Sequence, residues 1–110
     1  MTASEDLADR FHAAMLSGDT EILNSILSDD VTFTGPMASS SGRDDTVAGI
    51  VQMSKMTKGD EVLVRLTDDQ NALIWSEITT SEGPATPAAT WLEIAGDRIT
   101  SIRTVFSAGR

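Results

Sequence analysis

The sequence predicts one α+β domain, with three helices in its N-terminal half packed on a strand-rich C-terminal half and a pocket between them. The first observation behind this is a switch of period. Apolar residues recur at helical spacing through Phe11, Ala14 and Met15, and again through Ile22, Leu23, Ile26 and Leu27. After Asp29-Asp30 they alternate, at Val31 and Phe33. The second is that everything from Glu61 onward reads as alternating segments broken by turn residues. The third is length: 110 residues make one domain, whose folding hides roughly two-thirds of the unfolded chain's surface.

In chain order, Thr2 with Glu5, or Ser4 with Glu5 and Asp6, suits a helix start. Leu7, Phe11, Ala14 and Met15 then form the buried stripe of the first helix. Gly18 stops that helix, and Asp19 caps a second one ending near Ser28. Val31, Phe33 and Gly35 share one face of a strand that Pro36 ends. The run from Met37 to Gly42 has loop chemistry and is expected over the mouth of the pocket. A third helix from about Gly42 to Met56 buries Val47, Ile50, Val51 and Met53, with Asp44 and Asp45 at its positive end. Residues 61–67 and 71–80 form a first hairpin, and residues 88–95 and 98–107 a second about Gly96-Asp97. A two-residue turn there sets Leu92 opposite Ser101, whereas an odd loop sets it opposite Thr100 and reverses the faces.

The absence of cysteine excludes disulfides, thiolate nucleophiles and Cys-ligated metals. A single histidine, His12, excludes a two-histidine metal site, so no metal and no cofactor are expected. Seventeen acidic against eight basic residues give a net charge of −9, and the scattered cations offer no track for a phosphate backbone. Nucleic acid is not an expected partner. The N-terminal ten residues lack the basic start and apolar core of a signal peptide, and no apolar run spans a bilayer, so the expected location is cytoplasmic, without a membrane partner.

The run A-x-x-x-G-D-x-x-x-[IL] at residues 14–23, ahead of D-D-V-T-F at 29–33 and a closing GDRITSIRTVF, resembles the nuclear transport factor 2-like superfamily, which includes ketosteroid isomerase and SnoaL-type cyclases. The likeness spans the whole chain, and it implies a single SnoaL-like domain over residues 1–110 in which a cone-shaped, curved mixed sheet wraps three helices (a cystatin-like roll). In ketosteroid isomerase a base aspartate works opposite a tyrosine and a protonated aspartate. The corresponding positions here hold Gly35, Phe11 and Thr90, which cannot repeat that chemistry. The paired-aspartate and arginine site of the family's epoxide hydrolases has no counterpart in the sequence either.

Matching strands to the family puts Phe33, Trp75, Glu77, Thr79, Thr90, Leu92, Ile102, Thr104 and Phe106 on the concave, pocket-lining face, which selects the odd-loop register. Ile74, Ile78, Trp91, Glu93, Arg103 and Val105 then fall on the convex face, through which the family commonly dimerises. Glu77 is the expected acid–base residue, with His12 on the border of the first helix's apolar stripe as its partner. The competing reading makes Glu77 a solvated strand residue and His12 a bystander. Phe11, Met15, Phe33, Trp75, Thr90, Leu92, Ile102, Thr104 and Phe106 are the expected ligand wall. The expected function is binding of a small, largely apolar molecule, with cofactor-free isomerase, cyclase or dehydratase chemistry as its catalytic form. The alternative is a non-catalytic ligand-binding or dimerisation module. A filled interior or an outward Glu77 favours that alternative.

Overall fold

A computed structural model of the chain describes residues 3–36, 38–80 and 83–106. The elements run α1 (Ala3–Ser17), α2 (Thr20–Ile26), β1 (Leu27–Thr34), β2 (Ser39–Ser41), α3 (Arg43–Met56), β3 (Thr57–Thr67), β4 (Asn71–Thr80), β5 (Thr86–Ala95) and β6 (Arg98–Phe106). The strands make one curved sheet in the order β2-β1-β6-β5-β4-β3. All neighbours are antiparallel except β1 and β6. The sheet is open, so β2 and β3 are its edges.

The turn between α1 and α2 explains why the helices can lie together. Gly18 stops α1 with φ +72, its N–H donating to Ala14 O at 2.7 Å. A Cβ there would stand 2.7 Å from Ser54 Oγ on α3, so glycine serves both the backbone twist and the close approach of the helices. Asp19 then caps α2, its Oδ1 accepting from the amides of Glu21 at 3.0 Å and Ile22 at 3.2 Å. Leu7, Phe11, Leu23, Ile26 and Ile50 from the helices meet Ala72, Ile74, Leu92 and Ile102 from the sheet in one buried core. Each such large side chain contributes about 1.5–3 kcal/mol relative to an exposed one.

Four local expectations need correction. Ser4 lies inside the first turn of α1, buried, and is not its cap; Thr2 lies outside the described residues. The Ser39–Ser41 stretch, expected as loop, is a short strand because it pairs with Thr32–Thr34 of β1. β3 begins at Thr57, directly after α3, and carries register shifts between Thr57 and Gly59 and between Val62 and Val64.

In the second hairpin Ala95 opposes Arg98, the two-residue turn. A register shift then places Glu93 opposite Ser101 and Leu92 opposite Ile102, so Thr100 is the extra residue of a bulge. The bulge restores the face that the odd loop would have given. Thr90, Leu92, Ile102, Thr104 and Phe106 accordingly face the helices.

Candidate functional site

β4 is where the expected site comes apart. Ala72, Ile74 and Ser76 are buried against the helices, and they pair across to Leu92, Thr90 and Ala88. The strand alternates without a bulge of its own, so Leu73, Trp75, Glu77 and Thr79 take the other face. Trp75 is 48% exposed and stands outside, not in the ligand wall. Glu77 pairs with Glu61 and Pro87 on that outer face, while His12 sits on α1 on the inner side. The structure therefore separates Glu77 from His12 by the thickness of the sheet. Ile74 and Ile78, expected outside, point in.

Of the remaining wall residues, Phe11, Leu92 and Ile102 are fully enclosed in core packing, with Met15 and Phe33 packed against them. Thr90 and Thr104 are paired through their hydroxyls at 3.3 Å, and Phe106 lies opposite Ala88. Most of these residues come together as closely packed interior, whereas Phe33 also borders open space and Phe106 is half-buried.

Open space lies instead on the flank of α3. A cleft of about 480 Å³ runs between that helix and the β1–β2 edge, lined by Phe33, Ala38, Gly49, Ile50 and Met53. Ser39, Asp45 and Gln52 supply its polar groups. Its lining is mostly apolar, and its size falls in the range of small-molecule sites. Gly49 sits in the interior of α3, where glycine costs about 1 kcal/mol relative to alanine. Nothing lies within 4 Å of where its Cβ would be, and its φ is not positive. Neither backbone strain nor helix contact calls for glycine there, and its effect is to leave the cleft open.

A shallower depression of about 420 Å³ lies near the N-terminus of α3, where Arg43 pairs with Asp29 at 2.9 Å. Among the described residues no cluster of three or more His, Asp or Glu is arranged to hold a metal.

The second feature missed in the sequence is the partner of His12. Its Nε2 is 2.7 Å from the backbone oxygen of Asp60 and 3.6 Å from Asp60 Oδ2. A carbonyl oxygen only accepts, so Nε2 carries the proton and donates it. The Asp60 side chain is 10% exposed, and its Oδ1 is buried with no hydrogen-bond partner among the described residues. An orphaned buried acceptor costs about 1–3 kcal/mol, more when charged.

The outer face of the sheet carries Leu66, Leu73, Trp75, Trp91 and Val105, all exposed. Arg103 pairs with Glu93 at 2.9 Å and stacks over the Trp91 ring at 4.6 Å.

Residues 8–102 match the SnoaL-like domain family, and the chain belongs to that family. Among solved structures it is similar to a protein from Kribbella flavida DSM 17836, at 27% identity and a TM-score of 0.87 over 97% of this chain and 88% of that one. It is also similar in fold to an LEH-like epoxide hydrolase of M. tuberculosis, at 17% identity and a TM-score of 0.81 over 96% and 83% of the two chains. A third relative in fold is a steroid delta-isomerase of Pseudomonas aeruginosa, at 14% identity and a TM-score of 0.82 over 99% and 82%. A search of curated proteins gives no significant match. Neighbours with such different activities share the scaffold, so the chemistry of this chain has to be argued from its own residues.

Proposed function

We propose that this domain binds a small, largely apolar molecule in the cleft between α3 and the β1–β2 edge, as a ligand-binding module. The observation that carries this is the pairing of an apolar cleft of about 480 Å³ with a helix-interior glycine that no packing contact requires. Met53 offers an adaptable wall, Phe33 a flat one, and Gln52 and Asp45 give the ligand a polar end to orient. The filled interior and the outward Glu77 weigh against acid–base chemistry by a Glu77–His12 pair.

The test is thermal stability against steroids, aromatic polyketide-like compounds and terpenoids, on the parent and on Gly49→Leu. A ligand at about 100 times its dissociation constant adds roughly 2.7 kcal/mol to the folded state, which is several degrees for a domain of this size. The shift is expected in the parent and absent in Gly49→Leu, whose side chain fills the cleft. A shift that survives this substitution places the ligand elsewhere.

The outer face supports a second reading, self-association. An exposed apolar centre of Leu73, Trp75 and Val105, flanked by both a cation and an anion in Arg103 and Glu93, is self-complementary under a two-fold axis. The occupant is a second copy of this chain.

A further inference from the structure

We propose that Asp60 is the anchor of a separate polar site that takes the primary ammonium group of a small apolar amine. Asp60 lies on the inner face of edge strand β3, between its two register shifts and opposite Ile78. Its carboxylate is nine-tenths buried, and Oδ1 has no donor among the described residues. His12 does not supply one. The Nε2 proton is committed to the Asp60 backbone oxygen at 2.7 Å, which leaves Oδ2 at 3.6 Å, beyond hydrogen-bonding distance.

Among the described residues no lysine or arginine forms an ion pair with Asp60; the arginines pair instead with Asp6, Asp29, Asp9, Asp97 and Glu93. With His12 3.6 Å from Oδ2 as its one neighbouring ionisable partner among the described residues, the carboxylate still offers at Oδ1 a strong acceptor with no donor. An ammonium ion matches both its charge and its need for donors, and the protein's net charge of −9 draws cations toward it.

Exposed apolar surface on the same strand face would meet the ligand's apolar body. Val62 shares the inner face with Asp60 and is 38% exposed, and Ile78 stands opposite. This site lies apart from the lining of the α3 cleft, and the inference does not rest on the ligand proposed there.

The experiment is an amide-resonance titration of the full chain at about pH 8 with three probes of one shape: 1-aminoindane, 1-indanol and indane. The amine is expected to bind about tenfold or more tighter than the alcohol, as a charge-assisted hydrogen bond predicts, with Asp60 and Val62 among the perturbed amides. Asp60→Asn is expected to abolish that preference. Equal binding of amine and alcohol, or a preference that survives Asp60→Asn, overturns the proposal.

A ligand-free measurement stands beside it. If Oδ1 lacks a partner, Asp60→Asn and Asp60→Val melt no lower than the parent. A fall of several degrees in both means that the carboxylate is already satisfied in the free protein, and the proposal is wrong. Neither arm uses the α3 cleft, so Gly49→Leu should leave amine binding unchanged.

Discussion

Gly49 and Asp60 are single residues whose chemistry runs against their surroundings, one a glycine inside a helix and the other a largely buried carboxylate on an edge strand. Gly49→Ala should raise stability by about 0.5–1 kcal/mol, because alanine loses less backbone entropy and meets no neighbour. Urea denaturation measures this, and a loss of stability would show a packing role for the glycine. Asp68 gives a pH-dependent counterpart. The Gln70 amide and the Asn71 side chain hold its carboxyl below its ordinary value. A group depressed in the folded state contributes stability above its unfolded pKa, lost as pH falls through the folded one. Asp68→Asn keeps an acceptor but not the charge. Its melting temperature should fall below the parent's at neutral pH and converge with it as the pH falls through the lowered pKa of the folded carboxyl.

Among the elements, β4 decides what the sheet presents to each side. Ile74→Ala should cost about 2–5 kcal/mol, since it empties a position in the core, whereas Trp75→Ala on the monomer should cost far less. Comparing their unfolding midpoints at low protein concentration checks the assignment, and a larger loss for Trp75 would reverse the two faces. The helices, both hairpins and the cap at Asp19 were legible in the sequence because each rests on local patterning: period, turn residues and capping side chains. The face of β4 was not, because Leu73-Trp75 and Ala72-Ile74 are both apolar sets and alternation alone cannot choose between them. The larger set went outward. Gly59 marks the first β3 register shift but reads equally as part of the connection after α3, and no turn residue marks the second, so the sequence places Asp60 before a strand and not beside His12. Gly49 did leave a signal, a glycine inside a helical pattern, whose meaning depends on what lies beside the helix.

At the scale of the whole molecule, the curved sheet has spent its inner face on a filled core and left its outer face in solvent. Leu66 and Val105 are each 64% exposed there. Such a surface is expected to be shared between two copies, so sedimentation should show a dimer that Trp75→Glu or Leu73→Glu converts to monomer with the fold retained. A parent that stays monomeric at high concentration would leave the face without that partner. The α3 cleft lies between that helix and β1–β2, on the helix-covered side of the sheet, so dimerisation through the outer face should leave ligand binding unaffected.

The most direct test of the cleft as the binding site is a methyl-resonance titration with whichever compound stabilises the protein, using the methyl groups of Met53, Ile50 and Ile102 as reporters. Met53 and Ile50 line the cleft, whereas Ile102 lies in the closed core. Saturable shifts at Met53 and Ile50, with intermolecular contacts to them and none at Ile102, are the predicted result. Contacts to the core methyl group, with Met53 undisturbed, would contradict it and return the ligand to the interior between helices and sheet.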